Sequence, residues 1–264
     1  MTDVITFGNF KGGVGKTTTT TLFSYILSEL KDYKVLAIDT DPQANLTARL
    51  TTTFNKQLLQ EKNIYNAIFS DDEVNNHIQT LSNNLDILSG SWDMINFDKM
   101  ISKSFQSKYL SYVFDSLLKE VEEKYDYILI DTAPSTNDVM ENAVMASDYV
   151  LITTQTLQDS FESTQKFYNY LLDRYQKNNY HFELLGVLPY LVGKSVSDNN
   201  ILKDYQEIFK EELFNNHIRT SDKVKTWANE GITTDKPYDK KAMNMYNRAV
   251  DEAIERMKLV TSNK

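Results

Sequence analysis

The sequence predicts an α/β fold: a doubly wound, mostly parallel β-sheet with helices on both faces. Three observations carry this expectation. Apolar runs of strand length recur along the chain, they alternate with segments of helical periodicity, and the stretches between strands are long enough for right-handed crossovers. With 264 residues, 41% of them hydrophobic, the chain can bury a sizeable core, and it reads as a single domain over 1–264.

The strands follow in order as VITF (4–7), VLAI (35–38), LDIL (85–88), YILI (127–130), YVLITT (149–154) and LLGVLPYL (184–191). Segments 17–30, 109–123 and 160–175 space their apolar residues three to four apart, as helices packed against a sheet do. A closing helix is expected over 240–258, with Ala242, Tyr246, Ala249, Ala253 and Met257 on one stripe. The polar, asparagine-rich stretch 51–84 has few apolar anchors, among them Ile64, Tyr65, Ala67 and Ile68, and reads as a helical insertion or a mobile region. No repeat, linker or single-sign charge run marks a domain boundary, and the chain holds only 4 prolines.

Composition narrows the function classes. Lys and Arg total 28 against 37 Asp and Glu, a net charge of −9, so the bulk surface repels nucleic acid and anionic lipid except where basic residues cluster. The lack of cysteine excludes disulfides and thiolate-held metal or iron–sulfur clusters. The N-terminus has no basic segment followed by an apolar core, and no stretch approaches bilayer-spanning length. A soluble, unprocessed, cytoplasmic protein is expected.

The most informative stretch is GNFKGGVGKTTTT, 8–20, at a strand-to-helix switch. Backbone amides of Gly12, Gly13, Val14 and Gly15 can close around phosphate oxygens, and the helix opening with Lys16, Thr17 and Thr18 adds its dipole. Lys16 supplies a point charge for β and γ phosphates, and Thr17 the hydroxyl that would coordinate Mg²⁺. Two carboxylate sites at strand ends support a nucleotide reading. AIDTDPQANLT gives Asp39 and Asp41, and YILIDTAPS gives Asp131; both belong at the carboxyl edge of the sheet, beside the loop. Asp131 suits the metal-holding role, and Asp41 is the candidate for orienting or polarising an attacking water. Asp39 is a further metal candidate or a brace for the Asp41 loop. Adenine recognition is expected from loops after the later strands, near Pro189.

With FKGGVGKTTT, DTDPQANLT and LIDTAPS in this order, the sequence resembles the ParA/MinD family of deviant-Walker P-loop ATPases, most closely the short, Soj-like ParA branch that segregates plasmids and chromosomes. The resemblance implies a role for the second lysine. Lys11 matches the family's leading lysine, which reaches across a homodimer interface to the partner's nucleotide, while Lys16 serves its own. Two ammonium groups in one loop repel each other until phosphate charge neutralises both, so ATP would hold the dimer together. The resemblance also implies slow ATP hydrolysis, with Lys11, Lys16 and Asp41 as the catalytic set, ATP and Mg²⁺ as cofactors, and stimulation by a centromere-binding ParB-type adaptor. Two features depart from the family: Ala133 precedes Pro134 where two prolines are common, and ITTQT (152–156) lacks a proline usual there. With the loop so early in the sequence, no N-terminal helix-turn-helix domain is expected.

Short ParA-type proteins bind nonspecific double-stranded DNA as ATP dimers, which the resemblance extends to this chain as a nucleoid-associated protein. From 217 to 248 seven basic residues (Arg219, Lys223, Lys225, Lys236, Lys240, Lys241, Arg248) face four acids, a local +3 against −12 for the remainder (−9 minus +3). Arg219, Lys223, Lys225, Lys240, Lys241 and Arg248 are the candidate DNA contacts. The alternative is a MinD-like membrane-associated positioning ATPase. The tail AVDEAIERMKLVTSNK interleaves acids with bases and suits an anionic lipid surface poorly, so no membrane partner is expected.

Overall fold

A computed structural model describes residues 2–178 and 181–262. Its core is a seven-stranded sheet: β1 (Asp3–Gly8), β2 (Val35–Asp39), β3 (Gln79–Thr80), β4 (Leu85–Leu88), β5 (Tyr127–Asp131), β6 (Tyr149–Gln155) and β7 (Glu183–Tyr190), in the spatial order β3-β4-β2-β5-β1-β6-β7. Every pairing is parallel except that of β3 with β4, as the sequence predicts.

Alternation along the strands sets the two faces. On one face Ile5, Phe7, Val35, Ala37, Leu129 and Leu151 pack with residues of α1 (Lys16–Tyr25), α2 (Asn45–Phe54), α9 (Asp222–Glu230) and α10 (Pro237–Ser262). On the other, Val4, Leu36, Ile38, Ile128 and Ile130 meet α3 (Ile64–Phe69), α4 (Phe97–Ser104), α5 (Val113–Lys119) and α6 (Asp138–Met145). Val150, Ile152 and Val187 meet α7 (Gln158–Asn178) and α8 (Val196–Phe209). Strand β1 lies between β5 and β6, so the turns leaving β1, β2 and β5 gather at one carboxyl edge. That is where a doubly wound sheet opens a crevice.

Three expectations change. The stretch 51–84, expected to be a helical insertion or a mobile region, is built into the sheet domain: it carries the end of α2, then α3 on the expected anchors Ile64 and Ala67, then β3, which pairs Gln79 with Ile87 and completes the sheet edge. The helix expected over 109–123 is divided into a 3-10 turn (Ser107–Tyr112), α5 and a second 3-10 turn (Glu122–Lys124). Buried Asn142 imposes the break, because its Oδ1 accepts the amides of Val113 and Phe114 at 2.9 and 3.3 Å while its Nδ2 donates to Leu110 O at 2.8 Å. The helix expected over 17–30 widens into a π-turn at Ile26–Leu30.

Candidate active site

The loop 9–15 leaves β1 and enters α1. The helical ladder begins with Thr19 N–H donating to Gly15 O at 2.8 Å, so the amides of Lys16, Thr17 and Thr18 lie at the open helix start. Gly13 and Gly15 have φ of +78° and +94°, the left-handed region in which successive amides can turn toward one anion. A Cβ on Gly15 would also lie 2.5 Å from the Tyr190 ring at the end of β7, so glycine there is required twice over. Lys16 is 5% exposed and donates to Asn9 O and Lys11 O, each at 3.0 Å. Burial lowers its pKa to about 8 against the opposing pull of Asp131 and Asp41.

The residue where the general phosphate-loop pattern expects its first glycine, Phe10, packs its ring edge-on to Phe167 and Tyr170 of α7, at 4.9 and 5.3 Å between centroids. It pegs the loop to the neighbouring helix. Asn9, fully buried, is the second peg: its Nδ2 donates to Thr153 O and Thr164 Oγ1, and its Oδ1 accepts Lys11 N–H and the Ser163 hydroxyl. Gln155 Nε2 adds a bond to Gly13 O at 2.8 Å. Lys11 reaches outward, 31% exposed, with Asp159 of α7 as its partner at 3.4 Å. The two lysines therefore occupy different electrical settings, one sunk in the loop and one on its rim.

Asp39 and Asp131 end adjacent strands in register, and both are fully buried. Asp39 Oδ2 accepts Thr47 N–H and the Thr47 hydroxyl, both at 2.8 Å, and its Oδ1 accepts Asp41 N–H at 3.2 Å. It thereby ties the Asp41 loop to the start of α2. Asp131 Oδ1 accepts the Thr20 hydroxyl at 3.3 Å, while its Oδ2 is buried without a partner among the described residues. Burial first, and then the other's charge or that of Asp41, raises both carboxylates; the Thr17 hydroxyl and Lys16 oppose the rise at Asp131. Asp41 is half-buried and its Oδ1 accepts Gln43 N–H.

These residues fit Mg²⁺ with a nucleotide. Magnesium takes one or two carboxylates together with phosphate oxygens and water, and the orphaned Asp131 oxygen near Thr17 is such a donor. No group of three or more His, Cys, Asp and Glu able to hold a metal exists among the described residues, so an all-protein cage is not the alternative.

Pro189 lies inside β7, buried and paired with Thr154, its carbonyl accepting Ile218 N–H. Its neighbour Tyr190 is the residue that meets the phosphate loop. Asn9, Tyr190 and Arg49, whose Nη1 donates to Thr18 Oγ1 at 2.6 Å, were not predicted. Asn9 stood inside the quoted loop; the other two come from elements whose packing the sequence does not announce.

Of the basic candidates, Lys240, Lys241, Arg219, Lys225 and Arg248 are exposed. Lys241 and Arg248 are seven residues apart on α10 and share a face. Between them Met245 Sδ accepts Arg219 N–H at 3.0 Å, which brings Arg219 to the same stripe. Lys225 pairs with exposed Asp222 at 3.4 Å. Lys223 is engaged differently, 3.0 Å from fully buried Asp239 and 5.9 Å above the Trp227 ring.

A family model described as an AAA domain matches residues 2–184. The Virulence plasmid ParA family protein pGP5-D of Chlamydia psittaci is 29% identical over 220 residues, covering 81% of this chain and 80% of that protein. The chain belongs to the ParA/MinD family. An uncharacterised protein of Methanocaldococcus jannaschii is 32% identical over 168 residues, 61% of this chain and 62% of that one. Among solved structures, a plasmid partition protein of Borrelia burgdorferi bound to AMPPNP superposes with a TM-score of 0.82 at 24% identity, covering 97% of this chain and all of that one. As a ParA/MinD family member the chain is a P-loop protein, and its fold is the one these relatives share. Among the described residues no helix is long and apolar enough to cross a membrane.

Proposed function

We propose that this chain is a partition-type ATPase that dimerises around two Mg·ATP, binds double-stranded DNA without sequence preference, and lets go when a ParB-type adaptor stimulates hydrolysis. The observation that carries the proposal is the contrast between its two loop lysines, Lys16 nearly buried on loop carbonyls and Lys11 on the rim beside Asp159. In this reading Lys16 serves the chain's own nucleotide, and the rim lysine, Lys11, serves that of a second subunit.

In this reading the loop amides of 12–18 cradle the phosphates. Lys16 exchanges its two carbonyl partners for β and γ oxygens, with little side-chain entropy to lose because its burial already fixes it. Thr17 and Asp131 hold Mg²⁺, which when bound offsets negative charge on the β and γ phosphates. Asp39 serves mainly as the brace that positions the Asp41 loop. Asp41 orients water so that its oxygen bonds to the γ-phosphorus as the bond to the β–γ bridging oxygen breaks, leaving ADP and phosphate. The reading assigns no residue of this chain to an arginine finger at the γ-phosphate, so turnover is slow until a partner completes the site. Lys241, Arg248 and Arg219 form the DNA-facing stripe, doubled in the dimer, with Lys240 and Lys225 flanking it; Lys223 belongs to the frame.

Three of the charges in the last turns of α10 are engaged within the fold, and the exposed Glu255 and Lys258 are of opposite sign, a poor match for an anionic lipid surface. Glu252 accepts the amides of Asn215 and Asn216 and pairs with Arg256, and Asp251 pairs with Lys31.

The deciding experiment is binding to random-sequence duplex DNA with ATP, ADP or no nucleotide over a salt series. Tight, salt-sensitive binding only with ATP supports the cycle. ATP dimers that ignore DNA yet sediment with anionic liposomes overturn it in favour of a membrane-cycling ATPase.

A further inference from the structure

Behind the phosphate loop, an arginine of α2, Arg49, donates to a threonine at the start of α1. The hydroxyls of the first turns of α1 find different partners. Thr19 Oγ1 is buried without a partner among the described residues, Thr20 Oγ1 shares its one proton between Lys16 O at 3.0 Å and Asp131 Oδ1 at 3.3 Å, and Thr21 Oγ1 gives its proton to Thr17 O at 2.6 Å. Thr18 does the reverse: its oxygen accepts from Arg49 Nη1 at 2.6 Å, and its proton has no acceptor among the described residues. A hydroxyl whose oxygen is taken by a guanidinium is polarised as a donor. It is held at the open start of a helix, where an anion is favoured.

Arg49 is itself unusual. It is half-buried on α2, and no carboxylate lies within ion-pair distance of it among the described residues. Its charge is felt by Tyr246 of α10, a fully buried residue whose hydroxyl has no hydrogen-bond partner among the described residues. A partly desolvated cation without a counter-ion is costly unless a ligand supplies the anion. In the nucleotide-site reading Lys16 and Thr17 take the outer phosphates, which leaves the next hydroxyl along the helix, that of Thr18, for the phosphate nearest the nucleoside.

We propose that Arg49 is a positioning residue for nucleotide binding, which orients and polarises the Thr18 hydroxyl toward the α-phosphate and adds uncompensated positive charge behind it. This rests on the nucleotide-site reading above. An α-phosphate contact is the same before and at the transition state, so it strengthens binding without changing the chemical step.

The test is calorimetric titration of the full chain with ATP, ADP and AMP, for wild type, Arg49→Gln, Thr18→Val and the double variant, together with steady-state hydrolysis. The expected result is that Arg49→Gln weakens all three nucleotides by the same factor, about tenfold, and raises KM with kcat unchanged. Thr18→Val does likewise, the double variant is no weaker than either single one, and Arg49→Lys recovers part of the loss. Unchanged affinity in a folded Arg49→Gln, a loss for ATP but none for AMP, or fully additive losses would overturn it. If Arg49→Gln does not fold, Thr18→Val against Thr18→Ser carries the test: equal affinities overturn the role of the hydroxyl. Wild type that binds no nucleotide at all would instead remove the site reading itself.

Discussion

Asp131 and Asp39 stand in register on adjacent parallel strands, fully buried, and of their four carboxylate oxygens only Asp131 Oδ2 lacks a hydrogen-bond partner among the described residues. One carboxylate is committed to the fold and the other keeps an oxygen in reserve.

That reserve costs stability. The folded protein raises the pKa of Asp131 above its unfolded value, so the folded state holds the proton more tightly and stability falls as pH rises from the ordinary carboxylate range toward neutral. Asp131→Asn removes the buried charge beside Asp39. Thermal melts without metal or nucleotide should show a higher Tm for the variant at pH 7.5, a flatter pH dependence, and no ATP turnover. A lower Tm would mean that Asp131 is a structural acceptor.

Lys16 gives the opposite sign. Its folded pKa of about 8 lies below the unfolded 10.5, so between these values the unfolded chain binds more protons and stability rises with pH. ATP needs the ammonium form, and its affinity is therefore expected to be flat below pH 8 and to fall by up to about tenfold per unit above it. Calorimetry from pH 7 to pH 9.5 checks this; a flat profile would mean that phosphate does not bind Lys16.

Lys11 is exposed enough to be lost without harm to the loop, which Asn9 and Phe10 hold. Lys11→Ala should retain ATP binding within a few-fold while losing ATP-dependent dimers in light scattering or sedimentation. Dimers at wild-type strength would reject the cross-subunit role.

The basic residues separate into two groups by partner. Reversing Lys241 and Arg248 to Glu should weaken DNA binding and lower its salt slope by about two or more per protomer, leaving Tm near wild type. Lys223→Ala strands the buried Asp239 carboxylate and should lower Tm. Equal effects of both on DNA at unchanged Tm would refute the division.

Ala44 opens α2 in the left-handed region, at φ 51° and ψ 38°, a conformation that strains any residue with a Cβ. Ala44→Gly relieves that strain at the expense of a freer unfolded chain, and the balance is expected to favour the folded state by about 0.5 to 1 kcal/mol. Urea melts give the sign; destabilisation would mean that the Asp41 loop takes another conformation in solution.

The sequence alone determined the parallel sheet, the phosphate loop and the strand-end carboxylates. These depend on short-range rules: apolar runs of strand length, glycines where φ is positive, a lysine and threonines at a helix start, and an Asp after four buried residues. It could not show that Asn142 divides the helix expected over 109–123, that 79–80 closes the sheet edge, or that Lys223 belongs to Asp239. Each is a contact between residues far apart in the chain, and an isolated Asn, Gln or Lys carries no periodic signal. For the same reason only the tertiary structure decided which carboxylate keeps a free oxygen, which aromatic residues peg the loop, and which arginine reaches Thr18. Local pattern fixes what a residue can do, and packing fixes which partners it has left to do it with.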